Sequence, residues 1–181
     1  HFGRLFLYLY FMSNTFLKPN HQNEFRQVMS SPFKFRIALF KMLPLASIVG
    51  IKLKQLDEEK CTLSVPYKWM NKNPFGTTYW AVMGMVSEMA SGLLLLMYTH
   101  KVKPSVSTFV VGCEAKFHKR ATGITTFTCD QGLEMAKLVE EACNDYQAKE
   151  LRCIANGYNE AGELVAEFVF VWGIKARMLK K

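Results

Sequence analysis

A long apolar run occupies residues 73–98 and carries one charge, Glu88; no other Asp, Glu, Lys or Arg stands between Lys72 and Lys101. The run is too long for a strand and rich in Ala, Met and Leu, so it predicts a helix. It opens as a Pro/Gly/Thr turn, in which Thr77 or Thr78 is placed to cap the helix. Apolar residues go all the way round it, the pattern of a helix buried on every side. A carboxylate halfway along such a helix is costly unless it is paired, hydrogen-bonded or used.

Shorter periodicities flank this run. Ser30, Ser31 and Pro32 form a helix start, Phe33, Ile37, Phe40 and Leu43 a stripe at helical spacing that packs against a core or a partner, and Pro44 a stop. Val49, Ile51 and Leu53 then alternate with polar or small residues, as do Cys61, Leu63 and Val65, and a polar turn at residues 57–60 joins the two strands. Beyond the helix, residues 105–118 predict a long strand. Strict alternation puts Phe109, Val111, Cys113, Ala115 and Phe117 on one face and Thr108, Val110, Gly112, Glu114 and Lys116 on the other. Residues 124–129 give another strand. Residues 131–149 switch to a helical period, with Glu134, Glu140, Glu141 and Asp145 on the outer face. Two last strands, 151–158 and 164–174, are joined by a Gly-containing turn at 159–162, and residues 176–181 form a basic tail. Runs of strands with helices set between them make an α+β fold, and the central helix requires a sheet curled around it.

Composition narrows the function. The chain has 181 residues, half of them hydrophobic and 21% charged, as expected of one globular domain. The net charge of +8 suits a basic surface, nucleic acid, an anionic membrane or a phosphate-bearing ligand, and the scatter of the cations weakens the nucleic-acid reading. Cys61, Cys113, Cys129, Cys143 and Cys153 lie ten or more residues apart and form no metal-ligand pattern, so they read as buried free thiols in a reducing, cytoplasmic setting. The sequence begins at His1. Residues 2–12 are apolar, too short to span a bilayer and without a signal-peptide cleavage site. Residues 1–20 are therefore set aside as a non-native or disordered segment, or a short interfacial anchor if native, and residues 21–181 are assigned to one domain.

This layout, with Asn73-Pro74-Phe75-Gly76-Thr77-Thr78-Tyr79-Trp80-Ala81 and Glu88 twelve residues after Gly76, resembles the hotdog-fold thioesterase superfamily. It is similar to the phenylacetyl-CoA-thioesterase-like branch, whose motif reads roughly Asn-x-x-Gly-x-x-His-Gly-Gly with an acidic residue further along the helix. Tyr79 stands in place of that His, and Trp80 and Ala81 in place of the two glycines. The inserted acidic helix looks like an uncharacterised group of hotdog proteins regarded as thioesterases. The resemblance covers residues 30–175. It implies an antiparallel sheet wrapped around one long helix, with an extra amphipathic helix between later strands. It also implies a homodimer or homotetramer with sites at the subunit interface, Asn73 and Glu88 coming from different subunits.

By that resemblance the helix carboxylate acts on a thioester carbonyl, as base or nucleophile. The physical case is independent: burial raises a carboxylate pKa and makes a better base, and free N–H groups where the helix starts can hold an oxyanion. Glu88, Asn73 and Tyr79 are the candidate catalytic residues, and Gly76, Trp80 and Ala81 the oxyanion region. Ser91 and Thr108 are supporting residues, and Lys116, Lys119 and Arg120 candidates for coenzyme A phosphates. Each has a structural alternative: Glu88 a carboxylate bonded to Ser87, Ser91 or a strand, Asn73 a turn residue, Tyr79 a packing residue, Thr108 an ordinary strand residue, the cations solvated surface. His21, His100 and His118 are far apart and receive no role.

The sequence thus points to an acyl-CoA thioesterase acting without metal or cofactor, with coenzyme A thioester as substrate. A non-catalytic acyl or acyl-CoA binding protein on the same fold is the alternative. A membrane span at residues 80–98 is a third reading, opposed by Glu88 at its midpoint, where an acidic residue costs about 2.5–3.5 kcal/mol on insertion scales.

Overall fold

A computed structural model describes residues 16–178. The elements run α1 (Pro19–Met29), α2 (Pro32–Met42), α3 (Pro44–Val49), β1 (Lys52–Leu56), β2 (Cys61–Val65), a 3₁₀ turn (Trp69–Asn71), α4 (Trp80–Thr99), β3 (Val106–Phe117), β4 (Thr125–Cys129), α5 (Gly132–Asp145), β5 (Lys149–Tyr158) and β6 (Leu164–Ala176). The six strands form one antiparallel sheet in the order β1-β2-β4-β5-β6-β3. The long helix α4 packs across β2, β4, β5 and β6, and α5 closes against α4 and β6. This is the hotdog arrangement.

Local chemistry explains the joints. In the β1–β2 hairpin the Asp57 carboxylate accepts from the backbone N–H of Glu59 and Lys60, each at 2.9 Å. In the β5–β6 hairpin Asn159 Oδ1 accepts from the N–H of Ala161 and Glu163, while Gly162 takes a left-handed φ of +77°. The core joins α4 (Val86, Ala90, Leu94, Met97) to Leu63, Phe127 and Phe168 of the sheet.

Several expectations are corrected. Pro44 does not simply end the first predicted helix; it opens α3, which runs through Val49 to a left-handed Gly50 (φ +81°), so β1 begins only at Lys52. Of the two places open to the α2 stripe, the core is excluded: the buried residues are Phe35 and Leu39, while Phe33, Ile37, Phe40 and Leu43 face outward. Ahead of residue 21, Leu17 is buried and Pro19 starts α1; residues 1–15 lie outside the described residues, as do 179–181 of the predicted tail. Ala176, assigned to that tail, is a buried end of β6.

Two corrections bear on function. A bulge between Val110 and Gly112 leaves Val111 without a partner in β6. Strict alternation fails there, because an inserted residue flips every later side chain to the other face. Thr108, Val110, Cys113, Ala115 and Phe117 pair with Ile174, Trp172, Phe170, Phe168 and Ala166 and so share a face. The predicted grouping of Phe109 and Val111 with Cys113 does not hold. The second concerns α4, which is not covered on every side: Ala81, Met85, Glu88 and Gly92 are half-buried and Leu96 is exposed. At spacings of three and four these residues form one line along the helix.

Candidate active site

Glu88 sits on that weakly covered line. Its carboxylate makes no hydrogen bond or ion pair among the described residues. The structural alternatives at Ser87 and Ser91 are not realised: Ser87 donates to the Gly84 carbonyl, and Ser91 donates to the backbone carbonyl of Glu88, 3.0 Å away. Burial pushes the Glu88 pKa up, and no other influence opposes it.

The carboxylate lines a cavity of about 180 Å³ between α2, α4, β3 and β6. Leu39 and Met42 form its α2 wall, Met89 and Leu93 its α4 wall, and Thr108 and Trp172 its sheet wall. Trp172 is held in place by its indole N–H, which donates to Ser91 Oγ at 2.9 Å inside the core. Ser91 therefore ties the turn of α4 that carries Glu88 to the cavity's aromatic wall. Gly92 lies against the same indole: a Cβ there would stand 3.5 Å from the Trp172 ring, an ordinary contact.

The helix start is a separate locus. Tyr79 is the N-cap residue, and neither Thr77 nor Thr78 caps the helix: Asn73 Nδ2 donates to Thr77 Oγ1, and Thr78 donates to the Ala121 carbonyl. The N–H groups of Val82 and Met83 return to the Tyr79 carbonyl, while those of Trp80 and Ala81 find no acceptor among the described residues. The Asn73 side chain shapes its own turn, Oδ1 accepting from Phe75 N–H at 3.0 Å and Thr77 N–H at 3.2 Å. Gly76 meets the left-handed φ of +71° that this turn demands. The Tyr79 and Trp80 side chains are exposed.

Separation along α4 decides what one chain can do. Trp80 and Glu88 are eight residues apart, about 12 Å along a helix axis. A carbonyl gripped by an oxyanion donor and attacked by a carboxylate-held water spans only about 6 Å between those groups. One chain does not bring its own helix start and its own Glu88 to the same carbonyl.

The three cations divide. Arg120 donates to the Phe75 carbonyl and so adjoins the α4 entry loop; Lys119 pairs with Glu163 and Lys116 with Glu167. Thr108 lines the same cavity as Glu88. Two neighbours were missed. Trp172 carries no signal at a distance in sequence, and Cys113, read as a buried thiol, is exposed; its pKa is raised by burial first and then by the nearby Glu88 charge. Only the bulge puts Cys113 on the Thr108 face. No group of three or more His, Cys, Asp or Glu able to hold a metal ion occurs among the described residues. Helix α4 is long and apolar enough to cross a membrane, yet most of it is buried as the core helix of this sheet.

Solved structures of the same fold fall into place beside this geometry. A probable thioesterase from Pseudomonas aeruginosa superposes with a TM-score of 0.69 at 18% identity, covering 81% of this chain and 97% of its own. A thioesterase from Haemophilus influenzae gives 0.61 at 10% identity, covering 82% and 93%. A candidate thioesterase from Shewanella oneidensis gives 0.65 at 9% identity, covering 81% and 97%. At such identities the likeness is one of fold. No curated protein matches the chain. A family model does match, over residues 33–174, a span that holds α4, the whole sheet and the cavity. The chain belongs to the family described as a domain of unknown function, DUF4442.

Proposed function

We propose that this protein hydrolyses an acyl-CoA-type thioester, with Glu88 as the group that activates water. The observation that carries the reading is an unpaired, half-buried carboxylate facing an apolar cavity on the open line of the central helix. The thioesterases among the structural neighbours support the reaction class. Glu88 takes a proton from water as its oxygen bonds to the carbonyl carbon. The carbonyl oxygen becomes an oxyanion held by the Trp80 and Ala81 N–H groups, at the positive end of the helix dipole. Collapse breaks the C–S bond, and the thiolate leaves and is protonated. Direct attack by Glu88, giving an anhydride that water then opens, uses the same residues.

Since one chain separates these two groups, a second copy supplies the helix start. The open edge of the sheet supports that assembly. Strand β3 is twelve residues long, lies at the sheet edge and exposes Phe109, Val111 and Phe117. Such an edge is a template for pairing with another strand. Arg120, beside the entry loop, is the cation placed to meet a coenzyme A phosphate. The free thiols support a reducing, cytoplasmic setting.

Binding without turnover is the second reading, favoured by the exposed Trp80 indole at the helix start and by Asn73, whose amide is engaged in its own turn. Thiol release from short, long and aromatic acyl-CoAs separates the two. Glu88→Gln should lose at least about a hundredfold in rate with its fold intact, as expected for loss of a general base. Ligand-induced thermal stabilisation with no thiol release from either protein would favour binding alone.

A further inference from the structure

The outward face of α2 and α3 has no place in the chemistry above. Residues 25–56 contain six cations and no Asp or Glu. Lys34, Arg36, Lys41, Lys52 and Lys54 are all exposed, and none is paired with an acid among the described residues. Between them stand large exposed apolar side chains: Phe33 (74% exposed), Phe40 (70%), Ile37, Met42, Leu45 and Ile48. The surface continues onto the 3₁₀ turn, which is joined to α3 by Lys68 Nζ donating to the Ile48 carbonyl and Asn71 Nδ2 to the Val49 carbonyl. Trp69, 75% exposed, and Met70 project from that turn, flanked by Lys68 and Lys72.

Monomeric proteins rarely leave so much contiguous apolar surface bare. A core-packing helix needs one apolar side, and α2 has two: Phe35 and Leu39 face inward, Phe33 and Phe40 outward. Interleaved aromatics and unpaired Lys/Arg, without a single acid, match an interface between acyl chains and anionic headgroups. Apolar side chains enter the boundary while long cationic ones reach back to phosphate. Trp favours the same depth. Arg36, Lys52 and Lys54 also line a groove of about 490 Å³ between α2 and β1, where headgroups can be met. The charge pattern selects lipid over a second copy of the chain, because a copy would bring the same cations against themselves. Moreover β3, the strand assigned to self-pairing, is at the opposite edge of the sheet from β1.

We infer that the α2–α3 face docks on an anionic phospholipid bilayer, peripherally and reversibly. The docked face adjoins the Glu88 cavity, since Met42 and Leu43 belong to both. An acyl chain drawn from the bilayer would enter beside them. Docking itself does not depend on thioester hydrolysis, and its test involves no turnover.

The test is flotation of the full chain with vesicles of phosphatidylcholine alone and of phosphatidylcholine with about a third phosphatidylglycerol, at low and high salt. The expected result is binding to the anionic vesicles only, weakened by salt. Lys34→Glu with Lys41→Glu, and separately Phe33→Ser with Phe40→Ser, should each reduce it about tenfold or more while leaving the melting temperature of these exposed sites little changed. Three outcomes overturn the inference: no binding to anionic vesicles; binding that survives both pairs of substitutions, which places the lipid contact elsewhere in the chain; or wild-type self-association abolished by Phe33→Ser with Phe40→Ser in a protein that ignores vesicles, which makes the face an interface between copies.

Discussion

Burial raises the pKa of Glu88, and no described cation or hydrogen-bond donor offsets it. The folded state therefore holds this proton more tightly than the unfolded chain. Below the ordinary carboxylate range both states are protonated and the residue costs nothing. As pH rises through the unfolded value and then the raised folded value, stability falls, because the unfolded chain releases its proton first. Glu88→Gln should consequently raise the melting temperature at about pH 7.5 and leave it nearly unchanged near pH 4. The same shift governs rate. A base must be ionised, so the acid limb of thiol release should lie above the usual carboxylate range. Calorimetry at the two pH values and a pH–rate profile check both effects; equal melting temperatures at neutral pH would mean that the carboxylate is solvated. An isolated charge in an apolar run was legible in the sequence as the residue to watch. Its lack of a partner was not, because Ser87 and Ser91 each have one hydroxyl donor and spend it on a backbone carbonyl of α4 rather than on the carboxylate.

Helix α2 shows where periodicity stops being informative. Phe33, Ile37 and Phe40 recur at helical spacing, and so do Phe35 and Leu39 on the opposite side. A pattern apolar on both sides fixes the helix but not the face it buries. The structure buries the shorter series, so Leu39→Ala should cost about 2–5 kcal/mol in urea unfolding, whereas Phe40→Ala should stay within about 0.5 kcal/mol. The reverse order would put the Phe33, Ile37 and Phe40 stripe on the core side. Strand β3 was similarly legible as an element and illegible in its faces. An extra residue at Val111 has no local signature, and it decides whether Cys113 shares a face with Phe109 or with Thr108. The hairpin turns at Asp57 and Asn159 were plain in sequence because their side chains act on their own backbone a few residues away. Features set by neighbours in sequence could be read; those set by strand pairing or by a partner across the core could not.

At the scale of the whole molecule, a site split along α4 makes assembly part of the chemistry. If one protomer gives Glu88 and the other the N–H groups of its α4 start, each two-fold dimer holds two such sites. Two variants then test the division. Glu88→Gln removes the base. Trp80→Pro removes one N–H donor at the first helical position, where proline is tolerated, and the preceding Tyr79 is already extended (φ −62°, ψ 133°), as a residue before proline must be. Each variant alone should be nearly inactive. In a mixed dimer, the intact Glu88 of the Trp80→Pro protomer faces the intact helix start of the Glu88→Gln protomer. One of its two sites is therefore whole. Subunit exchange at equal concentrations makes half the dimers mixed, so about a quarter of the wild-type rate should return. Sedimentation equilibrium confirms the dimers, and Val111→Lys on the β3 edge should dissolve them and prevent the recovery. A mixture of stable dimers that stays inactive would place both groups of each site in one protomer. That outcome would overturn the division of the site drawn from the roughly 12 Å between Trp80 and Glu88 along α4.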